Sequence, residues 1–558
     1  MKELSPEHIK DIYKEKRDAY DKVLEFIKSE RCLNGVVQVI YGLRRTGKTT
    51  IMEQIIANNP DIKSHYYEAT KTDTMEDVYN HLDNALQKGY KCVFIDEITS
   101  VPDFIDNSAM LADIYAKQGL RIILAGTDSL SFVFAEESSL FDRAEHISTT
   151  YIPFAEHSRV LKTNDIDEYI SYGGLMKKGA RREEYLVYDY ITARKYVDDA
   201  VSDNITKTLK NLARFSNNTK LMKVEENEMR TVIEKMVERY SGVLNPTIAN
   251  EELKKIALSF PTDRQDFKLL EGEDVFYSLR ANKPEIIKEF VQSINADTRI
   301  THKFDDDMVL TLENELIHLG LLSVTNKQSF FYDESFGWRS APIEKEYYII
   351  QPAIKYYHLK NALEYVEQNE HYNMLSEKGK QYVTEKLDSK IRGDMTEQII
   401  LYEMSKALPT EQYAVYKVCF SNATEPNRDR GEYDMLIYDK QSVCYWCFEI
   451  KHTNAPYSMQ YKHLISQKFR EAADYKYGTR KKSCVLYNGS SFKTTLNVLY
   501  LNISDFIKQI TYAKDVNKVI TSFETSLQVR NIEEHISEPK LSASTHRPIF
   551  PPPRTRGR

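Results

Sequence analysis

Residues 36–57 read "VVQVIYGLRRTGKTTIMEQIIA". An apolar run, Val36–Tyr41, is followed by a glycine, a short polar turn, and a stretch in which Ile51, Met52, Ile55 and Ile56 recur at helical spacing. Buried strand, tight turn and amphipathic helix in that order are the setting in which Gly-x-x-x-x-Gly-Lys-Thr binds phosphate. The residues in question are Gly42, Gly47, Lys48 and Thr49, with Arg45, Thr46 and Thr50 in the same phosphate-binding shell. Without side chains, the glycines let backbone N–H groups turn toward phosphate. Lys48 neutralises the outer phosphates and the Thr49 hydroxyl ligates magnesium. The expected ligands are ATP and Mg²⁺.

Downstream, "CVFIDEIT" (92–99) is a second apolar strand, ending in Asp96 and Glu97. Asp96 suits a magnesium held through water. Glu97 points to hydrolysis, because a carboxylate beside the γ-phosphate orients and deprotonates the attacking water. A solvent-facing acidic pair is the plainer reading. A third strand, "RIILAGTDS" (121–129), ends in Thr127, which is either a γ-phosphate or water sensor or an ordinary strand cap. Alternating strands and helices to about residue 156 predict a parallel α/β sheet.

"YGLRRTGKTT", "VFIDEITSVPDF", "LAGTDSL", "LFDRAEHISTTYIPFAEH" and "YISYGGL" together resemble the bacterial and archaeal AAA-type ATPases whose loop reads Gly-x-Arg-Arg-x-Gly-Lys-Thr, over roughly residues 36–350. The resemblance implies that Arg143 contacts the γ-phosphate, in its own subunit or a neighbour's, and leaves room for a homo-oligomer. A surface salt bridge is the alternative for Arg143. The "IPFAEH" segment stands where that family has Leu-Ser-Phe.

The chain has 558 residues, 41% of them hydrophobic and 28% charged, which predicts three or four ordinary globular domains. A net charge of −7 excludes a protein coated in positive charge for nucleic acid, so any such contact is confined to a groove. No apolar run approaches the ~20 residues that cross a bilayer, and "MKELSPEHIK" lacks a signal-peptide core. The expectation is a cytoplasmic protein with no membrane partner. Six cysteines, most of them within strand-like runs, read as reduced core thiols. Cys444 and Cys447 form an isolated Cys-x-x-Cys whose members face opposite sides of an extended strand.

Outside the P-loop core (36–156), the pattern predicts an N-terminal helix (1–35, with Ser5 as N-cap and Pro6 in the first turn), a helical lid (157–222) and a winged-helix middle (223–360) built from three short helices and a hairpin. An α/β C-terminal domain (361–535) and a Pro-rich disordered tail (536–558) follow. The expected class is thus a multidomain α/β protein.

The C-terminal domain carries "GEYDMLIYDKQSVCYWCFEIKHT" (431–453). A turn centred on Gln441 and Ser442 sets Asp434 opposite Glu449, and Lys451 shares the Glu449 face. Opposed carboxylates need a positive charge between them, and a hard dication fits. A metal there lowers the pKa of bound water and stabilises a pentacovalent phosphate, while Lys451 positions or activates the nucleophile. Glu397, on the upstream helix "GDMTEQIILYEM", offers a further carboxylate. Helix-Glu, strand-Asp, strand-Glu-x-Lys resembles the PD-(D/E)xK nuclease superfamily over about residues 364–505, with Tyr433 in place of the proline. Gln467 is a candidate auxiliary residue, and Lys468, Arg470 and Arg480–Lys482 are candidate phosphate contacts or else solvated charges. The function expected is an ATPase coupled to a metal-dependent nuclease on nucleic acid, DNA in the first instance, with a mobile-element or anti-phage defence role by fold analogy alone. The competing reading is a nucleotide-gated DNA- or partner-binding scaffold that does not cut.

Overall fold

The computed structural model describes residues 15–176, 310–356 and 373–532, with short gaps at 44, 128–131, 133–134, 136–139, 150, 311–312, 315, 318–319, 354, 374–376 and 425–429. The expected helices at 228–240 and 250–260, most of the helical lid, the Ser5 cap and the tail lie outside the described residues.

Helix α1 is Asp18–Lys28, entered through Arg17. Residues 15–17 before it are not helical, so the N-terminal segment is not one continuous helix through residue 28. Five parallel strands follow: β1 (Val37–Tyr41), β2 (Ser64–Glu68), β3 (Cys92–Asp96), β4 (Arg121–Gly126) and β5 (Ala144–Ser148), in the order β2-β3-β4-β1-β5. Helices α2 (Lys48–Asn58) and α3 (Met75–Gln87) cross between them. Val37 and Val39 pack on the α3 side with Val78 and Leu82, while Ile40 packs with Ile51, Ile55 and Phe26 of α1 and α2. These strands are apolar on both faces because both faces are covered by helices. Two helices are described where the expected lid begins, α4 (Phe154–Leu161) and α5 (Ile166–Tyr172).

The second sheet is mixed and has ten strands. Its order is β15-β13-β14-β12-β11-β10-β9-β6-β7, with β8 also on β6. The strands are β6 (Leu322–Asp333), β7 (Gly337–Ser340), β8 (Glu344–Ile349), β9 (Tyr413–Asn422), β10 (Gly431–Asp439), β11 (Cys444–Lys451), β12 (Thr479–Tyr487), β13 (Phe492–Thr494), β14 (Leu499–Asn502) and β15 (Val529–Arg530). The expected hairpin near 330–350 is present as β6–β8. It does not stand apart as a wing: β6 runs parallel to β9 from Asn326–Tyr416 to Tyr332–Asn422, so the sheet crosses the division expected at residue 360. The reason is that β6 is twelve residues long and has two edges, one taken by β7 and β8 and the other by β9.

One face of this sheet carries Met435, Ile437, Trp446, Phe448 and Leu486 against the 31-residue helix α6 (Glu377–Ala407) and helices α8 (Ile503–Ala513) and α9 (Val516–Ser526). The other carries Leu436, Tyr445, Cys447, Val485 and Tyr500 against α7 (Gln467–Tyr477). Cys444 and Cys447 fall on opposite faces, and all six cysteines are free. The first core extends without interruption to α4 and α5, taking in Phe154, Ile166, Tyr169 and Ile170. Among the described residues, no helix is long and apolar enough to cross a membrane.

Candidate functional site

The phosphate loop closes β1 onto α2. Gly47 sits at φ +91° as the N-cap of α2, a left-handed backbone that favours glycine, and its missing Cβ would come within 3.2 Å of Met176 Cγ. The buried Lys48 ammonium donates to the loop carbonyls of Gly42 (2.8 Å) and Leu43 (2.9 Å). Thr46 donates to the Leu43 carbonyl at 2.7 Å and lies 3.2 Å from the Thr149 hydroxyl. Arg45 stands at φ +63°, and its carbonyl accepts the Met176 amide at 2.7 Å. Thr50 continues the first turn of α2.

β3, one strand beyond β4, brings the acidic residues to the loop's side of the sheet, and β4 brings Thr127. β4 lies between β1 and β3, so the ends of all three strands converge. The Thr49 hydroxyl donates to Asp96 Oδ2 at 2.6 Å, and Tyr66 from β2 donates to the same oxygen at 2.9 Å. Burial and then the Asp96 charge push the Tyr66 phenol up, which keeps it a donor. The hydroxyl and carboxylate that converge here are hard oxygen donors of the kind Mg²⁺ takes. Glu97 stands at φ +52°, a strained backbone for a residue with a side chain. Thr127, at the end of β4, donates to Glu97 Oε2 at 3.3 Å. Both polar strand ends are therefore gathered at the loop.

Arg143 is not. It precedes β5 at the end where Val37 begins β1, its carbonyl taking the Val37 amide at 2.9 Å, while the loop follows Tyr41 at the other end. Five residues of strand span roughly 16 Å. Its guanidinium pairs with Asp113 at 2.5 Å on the surface, so a γ-phosphate contact within the same chain is excluded by this arrangement.

Sequence inspection missed Arg17. This buried guanidinium pairs with Glu156 of α4 at 2.5 Å and donates to the Thr46 carbonyl and, at 3.4 Å, to the Tyr151 carbonyl. A lone arginine ahead of an amphipathic helix carries no signal in the sequence; its partners lie 29 to 139 positions away.

In the C-terminal sheet, Met435 pairs with Phe448 and Asp439 with Cys444, which makes Asp434 and Glu449 the next opposed pair, the register expected from the turn. A bulge decides what Asp434 does. Between Tyr433–Val418 and Leu436–Tyr416, two residues of β10 face the single residue Lys417 of β9. Such bulges re-aim side chains. Asp434 Oδ2 accepts the Lys451 ammonium at 2.8 Å and the Ile450 amide at 2.7 Å, and Lys451 also reaches Glu449 Oε2 at 2.6 Å. The positive charge expected between the two carboxylates is supplied, as placed, by Lys451.

Glu397 arrives from the other side. It sits on α6, and its carboxylate pairs with Lys417 at 2.6 Å. The result is an alternating row: Glu397, Lys417, Asp434, Lys451, Glu449 and, 3.3 Å from Glu449 Oε1, His463 Nδ1. Although His463 is close, Glu449 Oε1 is buried and takes no well-aligned hydrogen bond. Burial pushes the Asp434 carboxyl up, but Lys451, the Ile450 amide and Lys417 outweigh it and hold it below the ordinary carboxylate range. Glu449 is raised, by burial first and then by Asp434. Glu397 is pushed up to about 7 by burial, with Asp434 adding to the effect and Lys417 opposing it. The neighbouring Glu449 carboxylate raises His463, with burial opposing it.

As placed, the described residues contain no group of three or more His, Cys, Asp or Glu side chains that could hold a metal ion. The three-carboxylate cage expected from Glu397, Asp434 and Glu449 is thus not formed. The physical reason is that two lysines stand between the acids. Asp434 and Glu449 nevertheless share the Lys451 ammonium, and Glu449 Oε1, buried without a well-aligned hydrogen bond, is a hard donor, so these two fit a metal in kind.

Gln467 is not part of this centre; it begins α7 and bonds Glu471 on the surface. His463, four residues earlier, holds the place expected for an auxiliary residue. The candidate phosphate contacts are largely engaged internally: Arg480 donates to the Leu464 carbonyl at 2.7 Å, Lys482 pairs with Glu524 at 2.5 Å, Arg470 with Asp474 at 3.2 Å, and Lys468 lies over Tyr332.

Residues 34–158 match the family model described as an AAA domain. No curated protein matches the sequence. Among solved structures, the chain is similar to the Hsp104:casein complex of S. cerevisiae, at 16% identity and a TM-score of 0.23, over 45% of this chain and 51% of that one. It thus spans about half the length of that relative. It is also similar to domain III of the Thermotoga maritima replication initiation protein DnaA, at 16% identity and a TM-score of 0.21, over 40% and 95% of the two chains. A third is Drosophila ORC bound to DNA, at 11% identity and a TM-score of 0.21, over 64% and 95%. The fold and loop, with the family match, define an AAA-type P-loop ATPase domain.

Proposed function

We propose that this chain hydrolyses ATP at its P-loop and cuts nucleic acid, DNA in the first instance, at the Asp434–Glu449–Lys451 centre. At the first site, loop amides and Lys48 hold the phosphates, and Thr49 with Asp96 holds Mg²⁺, which would supply charge neutralisation at the β- and γ-phosphates. Glu97, steadied by Thr127, orients the attacking water and takes its proton as the water oxygen bonds to the γ-phosphorus and ADP departs. Arg143, at the opposite end of the strands, serves a nucleotide only across to a neighbouring copy, which links that role to a homo-oligomer.

At the second site, Asp434 and Glu449 would hold a divalent cation, whose chemistry there is to acidify water and stabilise a pentacovalent phosphate. Lys451 holds the nucleophile or the developing charge, Glu397 acts through Lys417, and His463 orients Glu449. The observation that carries this reading is the bulge opposite Lys417, which delivers Asp434 to the same ammonium that Glu449 binds, at 2.8 and 2.6 Å. The pairing with an ATPase suits mobile-element or defence biology.

The test is cleavage of linear, circular and single-stranded DNA, and of RNA, with Mg²⁺ and with or without ATP, by the natural chain, Glu449→Ala and Lys48→Ala. Cleavage should vanish in Glu449→Ala and lose its response to ATP in Lys48→Ala. Undiminished cutting by Glu449→Ala would sink the site. Nucleotide-dependent binding with no metal-dependent cutting of any substrate would establish the scaffold reading instead.

A further inference from the structure

One short segment, residues 149–176, touches the phosphate loop and the elements that carry the C-terminal centre. On the loop side, Thr149 meets Thr46, Met176 holds the Arg45 carbonyl, and Glu156 of α4 anchors Arg17, which clasps the Thr46 carbonyl. On the other side, Asp167 of α5 receives Arg392 at 2.9 Å and His452 Nε2 at 2.8 Å. His452 directly follows Lys451, and Arg392 stands on α6 five residues before Glu397. Further along α6, Glu403 Oε1 accepts the Tyr151 hydroxyl at 2.6 Å and the Phe154 amide at 2.8 Å. Glu156, Glu403 and Arg17 are buried, as are Phe154, Tyr169 and Ile170 between them. A packed interior of this kind shifts between discrete arrangements and does not deform smoothly.

We propose that Asp167 is a positioning residue for the C-terminal centre, and that nucleotide occupancy of the loop resets that centre through residues 149–176. The switch lies in the loop. Phosphate must draw Lys48 away from the Gly42 and Leu43 carbonyls and turn the loop amides toward itself. The carbonyls of Arg45 and Thr46 move with those amides; Met176 of the segment holds the first directly, and Glu156 of the segment holds the second through Arg17. At the other end the segment holds the strand end that presents Lys451 and the helix that presents Glu397. Among the described residues, this segment is the connecting part. This inference rests on Asp434, Glu449 and Lys451 forming a working centre.

The experiment uses the full chain, with and without a non-hydrolysable ATP analogue and Mg²⁺, read by hydrogen exchange and by DNA cleavage. In the natural chain, nucleotide should change amide exchange at 449–453 and 392–404 as well as at the loop, and change cleavage by at least about fivefold. Asp167→Asn should bind the analogue with unchanged affinity, lose the exchange response at 449–453 and cleave at a rate indifferent to nucleotide; Asp167→Glu should restore the response. Tyr151→Phe, which deletes a single hydroxyl, should weaken the response at 392–404 without unfolding the chain. Exchange changes confined to residues 36–160, or an Asp167→Asn protein that responds like the natural one, would overturn the proposal. If nothing is cleaved, the nuclease reading fails, and the exchange data still decide whether the two centres are coupled.

Discussion

Replacing Glu403 by glutamine isolates the cost of a buried carboxylate at the junction of the two modules. Burial, chiefly, pushes Glu403 up to about 7 from an ordinary 4.5, against the opposing hydrogen bonds from Tyr151 and Phe154. A carboxyl raised in the folded state binds its proton more tightly there than in the unfolded chain. Its contribution is therefore fully present below pH 4.5 and is lost as pH rises through about 7. At ~1.4 kcal/mol per tenfold change in proton affinity, ionised Glu403 costs about 3 kcal/mol at pH 8. Glutamine occupies the same volume, keeps an acceptor for Tyr151 and Phe154, and does not ionise. Glu403→Gln should thus match the natural chain within about 1 kcal/mol near pH 4.5, then gain on it by about 3 kcal/mol on going to pH 8. Urea unfolding followed by tryptophan fluorescence suits the question, because the chain's two tryptophans, Trp338 and Trp446, both lie in the C-terminal sheet. A stability difference between the two proteins that stays constant from pH 4.5 to pH 8 would refute the reasoning.

Two further outcomes follow from the centres themselves. Lys451→Met strands Asp434 against Glu449 with no cation between them, and should destabilise the C-terminal module by about 3–5 kcal/mol. Added Mg²⁺ or Mn²⁺ should raise its unfolding midpoint more than that of the natural chain; an equal response in both would argue against any metal affinity of the carboxylate pair. Glu97→Gln should retain nucleotide binding while phosphate release falls ~10²–10⁴-fold, and a parallel loss of binding would remove Glu97 from the hydrolytic role.

Local patterns carried much of this. Val36 to Ala57 declares strand, phosphate loop and helix within twenty-two consecutive residues, because each part depends only on its neighbours. The hairpin register near Gln441 was legible for the same reason: a tight turn and a two-residue period suffice to oppose Asp434 and Glu449. By contrast, the parallel pairing of β6 with β9 joins residues about ninety positions apart, and no local pattern marks it. Nor does any mark the bulge at Lys417, since an extra residue in one strand is visible only against its partner.

Sequence alone determined the chemistry available: a phosphate loop with its acidic strand end, and a hairpin presenting two carboxylates and an amine. Tertiary structure decided the rest. It placed Arg143 at the wrong end of the strands for its own loop, set lysines between the acids of the second centre, and brought Arg17, Asp167, His463 and Glu403 into contacts spanning up to 285 positions of chain. The physical reason is that backbone propensity acts over a few residues, whereas the desolvation of a buried charge is met only by whatever partner the packed fold brings beside it.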